Sequence, residues 1–302
     1  MENELESIDP HLWSIVLAGG VGGQLTDRLY STRLPKQFAT LVGEQSLLQC
    51  TVERMKRLVA PERIVVVVHS SCEAIAREQL DTTPELRILT QPADRGTAVG
   101  LALPVAWIRR RDATAKLLVT PSDHFIAEPA PFDEGMRQAV GAVPTHPLVL
   151  LGVPATRAET ECGWIVPGAK KTTHEVREVA SFVEKPCARI ADKLLREGGL
   201  WSTLVFAAQA DALWAVLRRH LPRHSNALGS AVARADGVDL ERVYEEIHTA
   251  DLGRDVFQRA RNLAVHEVPS AGWSDWATRA RTARAPSVAQ ASSGGGAFVE
   301  SA

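Results

Sequence analysis

The sequence is poor in the features that mark several common classes of protein. Its four cysteines (Cys50, Cys72, Cys162 and Cys187) are widely spaced and form no C-x-x-C pair, so a structural zinc site is not expected. Free thiols in a reducing cytosol are the preferred interpretation. Lys and Arg total 34 against 36 for Asp and Glu, a net charge of −2. Without a basic excess, the chain is not expected to bind nucleic acid or a membrane surface.

Long apolar runs are also lacking. No stretch of the 302 residues is long enough to span a bilayer, and the first residues, MENELESIDP, are acidic rather than basic. We therefore expect no signal peptide, no membrane segment and a cytoplasmic location. No internal repeat is present. What remains is an ordinary globular composition, 45% hydrophobic and 23% charged, with ample material for a buried core.

The first half of the chain alternates between strands and helices. A buried strand is predicted at 12–18 (LWSIVLA), and the β-branched run at 63–69 is typical of a central parallel strand. Residues 46–60 carry apolar side chains at helical spacing. Further helices are expected at 72–80 and 97–111, and further strands at 86–91 and 116–121. The alternation predicts an α/β fold with a doubly wound, mostly parallel, Rossmann-like sheet and right-handed crossovers.

The second half is less regular. An antiparallel pair is predicted from 164–166 and 178–183. The other expected elements are strands at 148–153, 200–207 and 262–268 and helices at 187–197 and 211–220. The tail 285–302 is rich in Ser, Gly and Ala and is predicted to be disordered. We therefore predict a single domain over 1–284.

A glycine-rich segment, LAGGVGG at 17–23, follows the first strand. Glycines there let the backbone approach a phosphate and point N–H groups at it, although a tight structural turn explains them equally well. A P-loop requires G-x-x-x-x-G-K-[ST], which is absent, and the dinucleotide fingerprint lacks its third glycine. The second strand also ends at His69 instead of an acidic residue that would bind a ribose. Both of these familiar sites are excluded.

The residues that follow favour a phosphate-binding role for the glycine segment. A linker with Arg28 and Arg33 leads to the sequence PKQF at 35–38. A glycine loop, arginines and then Pro-Lys form a strong pattern for handling triphosphates and sugar phosphates. LAGG followed by PKQF resembles the sugar-1-phosphate nucleotidyltransferases, and PKQF in particular is similar to the mannose-1-phosphate guanylyltransferases.

The resemblance continues in the family's order from about residue 15 to residue 275. The matching segments are the base-recognition loop QPADRGT (91–97), PSDH (121–124) in the place of PADH, ECGWI (161–165), FVEKP (182–186), LWST (200–203) in the place of LWNS, and GWSD (272–275). One such segment could arise by chance, but an ordered set indicates membership of the family.

The resemblance implies an enzyme that transfers a nucleotidyl group to a hexose 1-phosphate and releases pyrophosphate. GMP from GTP and mannose 1-phosphate are the best match. It divides the domain into a nucleotide half, 12–145, and a sugar half, 146–284, with an antiparallel sugar-binding portion. The implied partners are GTP and a hexose 1-phosphate, the implied cofactor is Mg²⁺, and a homo-oligomer is left open.

The resemblance also assigns roles to individual residues. The catalytic residues are Lys36, Asp123, Lys185 and Asp275, of which Asp123 and Asp275 hold the metal. The nucleotide-binding residues are Leu17, Ala18, Gly19, Gly20, Gly22, Gln24, Lys36, Gln91, Arg95, Gly96 and Thr97. The sugar-phosphate residues are Gly163, Glu184, Lys185 and Ser202, with Glu184 on sugar hydroxyls and Lys185 on the phosphate.

Several of these residues also have a plain structural interpretation. Asp123 could cap a turn, and Lys185 could be a solvated surface lysine. Trp201 and Trp273 could be core aromatics. For His124 a structural hydrogen bond is favoured over metal ligation. The ordered motifs favour functional roles for Asp123, Lys185 and Asp275.

The implied chemistry suits these residue types. A sugar phosphate is already ionised at neutral pH, so its attack on the α-phosphorus needs no general base, and no Ser-His-Asp or Cys-His pattern is recognisable. The obstacle is to bring two polyanions together, which enzymes overcome with oriented N–H groups, lysines, arginines and magnesium. Two carboxylates suit a hard cation that bridges phosphate oxygens.

Two positions depart from the family pattern. Gln24 stands where the family has an arginine that steadies the triphosphate, and losing such a charge-assisted contact costs about 2–4 kcal/mol in the barrier. Arg28 or Arg33 could replace it. Ser202 stands where LWNS has asparagine. These departures keep open an alternative, a weakly active or inactive paralogue that binds nucleotide sugar as a regulator.

Overall fold

The computed structural model describes residues 9–21, 34–40, 44–169, 176–234 and 240–275. Within these ranges nine strands form one sheet. The strands are β1 (Leu12–Ala18), β2 (Ile64–His69), β3 (Arg87–Gln91), β4 (Lys116–Pro121), β5 (Leu148–Pro154), β6 (Gly163–Pro167), β7 (Arg177–Glu184), β8 (Leu200–Gln209) and β9 (Ala264–Glu267). The helices are α1 (Leu47–Lys56), α2 (Glu73–Gln79), α3 (Thr97–Arg109), α4 (Pro129–Ala142), α5 (Ala188–Arg196), α6 (Ala210–His220), α7 (Pro222–Ala233) and α8 (Leu240–Glu246), together with a π-helical turn at Leu252–Phe257.

The sheet has the order β3-β2-β1-β4-β8-β5-β9-β7-β6, with an additional pairing of β8 and β6. Strands β3, β2, β1 and β4 run parallel to one another. Strand β8 is antiparallel to β4 and to β5, and β7 is antiparallel to both β6 and β9. The expected mostly parallel sheet therefore describes the first four strands, whereas the whole sheet is mixed.

The apolar residues of the strands face two cores, one on each side of the sheet. In β1, Trp13 and Ile15 belong to one core and Leu12 and Val16 to the other, as the alternation of side chains along a strand requires. Helices α3, α6, α7 and α8 cover the first face, and α1, α2, α4 and α5 cover the second. The fold is a three-layer α/β arrangement.

The parallel strands place a set of chain segments at one edge of the sheet. Strands β1, β3 and β4 end at Ala18, Gln91 and Pro121, and their carboxyl ends lie at the same edge. In an open α/β sheet ligands bind in the crevice outside this edge. None of the described helices combines the length and the apolar character needed to cross a bilayer.

The predicted strands and the predicted helices are all present within a few residues of their expected bounds. The antiparallel pair is β6 with β7. Helices α4, α7 and α8 and the π-helical turn were not predicted. The tail 285–302 and the domain end at 284 lie outside the described residues, so both stay predictions.

Candidate active site

A cavity of about 550 Å³ opens at the carboxyl edge of the sheet. It collects most of the site residues expected from the sequence, which come from distant parts of the chain. The expected residues that line it are Leu17, Gly19, Gly20, Lys36, Gln91, Gly96, Thr97, Asp123, Gly163, Glu184, Lys185, Ser202 and Asp275. Gly22 and Gln24 lie outside the described residues, as do Arg28 and Arg33.

The glycine turn after β1 is held by two glutamine side chains. The Nε2 group of Gln37 donates to the carbonyl oxygens of Ala18 and Gly20 at 3.0 and 2.7 Å. Gln91 Nε2 donates to the Gly19 carbonyl at 3.3 Å. A Cβ on Gly19 would lie 2.2 Å from that nitrogen, so a side chain there would displace the Gln91 amide group. The glutamine of PKQF therefore fixes the turn, a role that the sequence did not reveal.

Two residues of the expected nucleotide site have other surroundings. Among the described residues, Ala18 and Arg95 do not line the cavity. Ala18 is buried, and the Nε group of Arg95 donates to the Tyr244 carbonyl at 2.7 Å. Gln91 lines the cavity but is only 3% exposed. Its side chain supports the glycine turn and leaves little surface for a base.

Lys36 and Asp123 form an ion pair in the cavity. Lys36 begins a 3₁₀ turn, Lys36–Phe38, and its Nζ lies 2.5 Å from Asp123 Oδ2. Burial, the largest influence, raises the pKa of Asp123, but the charge and hydrogen bond of Lys36 together with His124 and a backbone N–H outweigh it, so the pKa of this carboxyl group is lowered. Asp123 follows Ser122, whose N–H and hydroxyl both donate to the Leu17 carbonyl. The carboxylate is thereby fixed beside the glycine turn.

Asp275 reaches the same place through a short antiparallel bridge. Phe125 and Ser274 exchange two backbone hydrogen bonds, of 2.8 and 2.9 Å. This bridge brings Asp123 and Asp275 to one wall of the cavity although they are 152 positions apart in the chain.

His124 lies between these carboxylates as a structural residue. Burial lowers its pKa despite the negative charges of Asp123 and Asp275. Trp273 Nε1 donates to His124 Nδ1 at 3.3 Å, and the two rings pack edge to face with centroids 5.4 Å apart. The structural hydrogen bond expected for His124 is confirmed.

The charges of the cavity fit a divalent cation. Its described lining carries two lysines, Lys36 and Lys185, against six carboxylates: Asp94, Asp123, Glu161, Glu184, Asp251 and Asp275. No group of three or more His, Cys, Asp or Glu in the described ranges forms a complete protein cage. Two carboxylates beside a phosphate site are the donor set of Mg²⁺, which keeps several waters and phosphate oxygens as ligands. Asp123 and Asp275 fit this role.

The opposite wall carries the end of β7. Lys185 has a positive φ of 45°, and its N–H donates to the Cys162 carbonyl at 3.2 Å. Such backbone is uncommon for a residue with a side chain and occurs often at functional sites. The pKa of Glu184 is raised to about 7, first by burial and then by the charge of Asp251. Lys185 opposes this rise.

The LWST segment divides its residues between core and cavity. Trp201 is a core aromatic, 6% exposed and edge to face with Trp164. Ser202 lines the cavity, and its hydroxyl accepts from the Leu204 N–H at 3.3 Å. Leu204 has a φ of 55° where the pairing of β8 with β5 changes register. The kink is a β-bulge that turns this part of β8 toward the cavity.

Sequence reasoning missed several cavity residues, notably Gln37, Asp94, Asp251 and Gly253. Asp251 and Gly253 lie at the start of the π-helical turn, which has no recognisable sequence signature. Their positions follow from tertiary packing of this turn against α3 and β7.

An α/β sheet with a glycine turn, two lysines and paired carboxylates at its carboxyl edge defines a protein class suited to phosphorylated ligands. The family model described as nucleotidyl transferase matches residues 13–275. The chain belongs to this family, and its similarity to sugar-1-phosphate enzymes agrees with the resemblance found in the sequence.

Two curated relatives show how far the similarity extends along this chain and along their own. The mannose-1-phosphate guanylyltransferase ManC of Salmonella typhimurium (strain LT2) is 32% identical over 87% of this chain and 57% of its own length. The alginate biosynthesis protein AlgA of Pseudomonas fluorescens is 31% identical over 87% of this chain and 56% of its own length. The chain spans about half the length of the curated relatives it matches.

A solved structure supports the fold. The crystal structure of a mannose-1-phosphate geranyltransferase from Thermus thermophilus matches with a TM-score of 0.78 and 32% identity, over 88% of this chain and 76% of that one. The chain therefore has the α/β fold of nucleotidyltransferases.

Proposed function

We propose that the protein transfers GMP from GTP to mannose 1-phosphate and releases pyrophosphate. The observation that carries this proposal is the cavity that unites the glycine turn, Lys36 and Asp123 with Lys185 and Asp275. Guanylyltransferases of mannose 1-phosphate among the relatives support the choice of base and sugar.

In the proposed reaction an oxygen of the sugar phosphate attacks the α-phosphorus of the nucleotide. The bond to the bridging oxygen breaks, and pyrophosphate leaves with its electron pair. Backbone N–H groups of the glycine turn and Lys36 hold the triphosphate, while Lys185 holds the sugar phosphate on the opposite wall. Positioning and charge compensation of this kind are the main means by which enzymes accelerate phosphoryl-type transfers.

Three further groups orient the substrates. Glu184 would accept or share hydrogen bonds with sugar hydroxyls, and the Ser202 hydroxyl lies in the same half of the cavity. Asp123 and Asp275 would hold Mg²⁺, which when bound supplies positive charge beside the phosphate oxygens. Trp273 Nε1 donates to His124 Nδ1, which fixes the orientation of this ring beside Asp123.

The test is a panel of nucleoside triphosphates and hexose 1-phosphates with Mg²⁺, assayed for pyrophosphate release. We expect the highest rate from GTP with mannose 1-phosphate. Lys185→Ala should abolish most of the rate. Lys193→Ala is the matched control, because Lys193 is a surface lysine whose side chain is 67% exposed. Pyrophosphate release no greater than that of Lys185→Ala for every pair would end the proposal.

A second candidate is a weakly active or inactive paralogue that binds nucleotide sugar as a regulator. Gln24 in the place of the family arginine and Ser202 in the place of asparagine favour it. The variant Gln24→Arg separates the two functions. A large gain in rate favours the paralogue, whereas an unchanged rate indicates that Arg28 or Arg33 already supplies the charge.

A further inference from the structure

One chain segment, residues 244–258, touches both halves of the cavity. It consists of the end of α8, the loop to Asp251 and the π-helical turn at Leu252–Phe257. On one side it meets the loop at 91–97, and on the other it meets Glu184 at the end of β7. None of these contacts was foreseen from the sequence.

The contact with the loop at 91–97 is made first by backbone groups. Ala250 N–H donates to the Arg95 carbonyl at 2.9 Å, and Ala98 N–H donates to the Ala250 carbonyl at 3.1 Å. Gly96 has a φ of 83°, and a Cβ there would lie 2.4 Å from the Ala250 oxygen. The two segments are therefore packed at backbone distance and cannot move apart without breaking this pair of bonds.

The hydroxyl group of Thr97 adds a side-chain link. It accepts from the Leu252 N–H at 2.9 Å and donates to Asp251 Oδ2 at 3.4 Å. The other oxygen of Asp251 accepts from the Arg254 N–H at 2.8 Å, which caps the π-helical turn. Thr97, the first residue of α3, thus fixes where the turn begins.

On the far side of the turn, Gly253 packs directly on the Glu184 carboxyl group. A Cβ on Gly253 would lie 2.1 Å from Glu184 Oε2, and its three nearest atoms all belong to this glutamate side chain. A Cβ on Gly163 would lie 2.8 Å from the same oxygen. Gln258 Oε1 accepts from the Glu184 N–H at 2.9 Å. The Glu184 carboxyl group therefore lies between Gly163 and Gly253, and a side chain at either glycine would displace it.

We propose that Gly253, held by Asp251 and Thr97, is a positioning residue that fixes the Glu184 carboxyl group relative to the nucleotide loop. Affinity for the sugar phosphate then depends on the absence of a side chain at Gly253 and on the Thr97 hydroxyl. The proposal rests on the proposed function for what Glu184 binds. It adds a coupling between the two halves of the cavity that runs through residues 97, 251 and 253.

The first test is Gly253→Ala, measured with the substrate pair that gives the highest wild-type rate. We expect the KM for the hexose 1-phosphate to rise at least about tenfold, because a misplaced binding group loses much of its effect. The KM for the nucleoside triphosphate should change less than about twofold. Gly141→Ala is the matched control, since a Cβ there meets nothing within 4 Å.

Two further variants show that the effect acts through Glu184 and Thr97. In the double variant Gly253→Ala with Glu184→Asp, the acidic side chain is shorter by one methylene group, which leaves room for the added methyl group. The KM for the hexose 1-phosphate should therefore fall part of the way back toward the wild-type value. Thr97→Val should raise the same KM about threefold or more, and Thr97→Ser, which keeps the hydroxyl, should raise it less. A Gly253→Ala enzyme with the KM values of Gly141→Ala would overturn the proposal.

A readout without catalysis separates this proposal from the function on which it rests. If wild-type protein releases no pyrophosphate from any pair, the proposed function fails. The carboxyl carbon of Glu184, assigned by its loss in Glu184→Gln, can then be titrated by NMR. The pH at the midpoint of this titration should fall toward the value of an exposed glutamate in Gly253→Ala but not in Gly141→Ala. Equal midpoints in both variants and the wild type would overturn the coupling.

Discussion

The Glu184 carboxylate lowers the free energy of unfolding by an amount that depends on pH, and replacement of Glu184 by glutamine removes this effect. The pKa of Glu184 lies at about 7, raised from 4.5 by burial and by the charge of Asp251. In the unfolded chain the group ionises near pH 4.5. Between about pH 4.5 and about pH 7 the folded protein therefore keeps a proton on Glu184 that the unfolded chain has lost. Stability therefore falls as pH rises from about 4.5 to about 7 and is level on either side.

The size of this effect follows from the difference between the two pKa values. A shift of one unit corresponds to about 1.4 kcal/mol, which sets an upper bound of about 3–4 kcal/mol. Because the carboxyl group is partly exposed and screened by solvent, Glu184 should reduce the free energy of unfolding by about 2–3 kcal/mol across this interval. Glutamine has the same shape and does not titrate. The free energy of unfolding of the wild type, minus that of Glu184→Gln, should decrease by most of this amount between about pH 5 and about pH 8.

Urea denaturation of both proteins at several pH values measures the difference. Glu197→Gln serves as the control for the same substitution on the surface, because the Glu197 side chain is 52% exposed. A flat difference for Glu184→Gln would refute the reasoning. A difference that grows with pH would show that Lys185 outweighs burial at this position.

Other perturbations of the cavity have equally definite outcomes. Lys36→Met should lower the rate of pyrophosphate release about 100-fold or more and raise the pKa of Asp123, because the main opposition to the effect of burial is removed; a rate within about threefold of wild type would contradict this. Asp275→Asn should raise the Mg²⁺ concentration for half-maximal rate about tenfold, as a magnesium titration would show. Gln37→Leu should reduce the free energy of unfolding by about 2 kcal/mol in urea denaturation, because the carbonyls of Ala18 and Gly20 lose their donor.

The elements that could be predicted from the sequence are those with strong local patterns. The β-branched run before His69 and the apolar run LWSIVLA form buried parallel strands, because few other structures bury every residue of such a run. Helix α4 was missed because its sequence, PAPFDEGMRQAVGA, contains two prolines and two glycines, which are weak helix formers. Tertiary packing stabilises it: a Cβ on Gly135 would lie 2.1 Å from Val268, so the glycine permits close approach.

In the site, the sequence predicted which residues line the cavity but not the contacts that individual side chains make. The positions of Lys36, Asp123, Lys185 and Asp275 in ordered motifs were enough to expect them in one cavity, and they do line it. The direction of the Arg95 side chain depends on the Tyr244 carbonyl, 149 positions further along the chain. A sequence pattern carries no information about such a contact, since any residue supplies a carbonyl oxygen.

The charge balance of the cavity constrains how two anionic substrates can enter it together. The described lining has six carboxylates and two lysines, and one of these lysines is already paired with Asp123. A triphosphate and a sugar phosphate would add further negative charge, so positive charge must arrive with them or from the segment that carries Arg28 and Arg33. Asp123 would hold a divalent ion that arrives with the nucleotide, and Lys36 would then be available to the phosphates. On this reasoning the affinity for the nucleotide, and not only the rate, depends on Mg²⁺, and calorimetric titration with and without the ion measures that dependence.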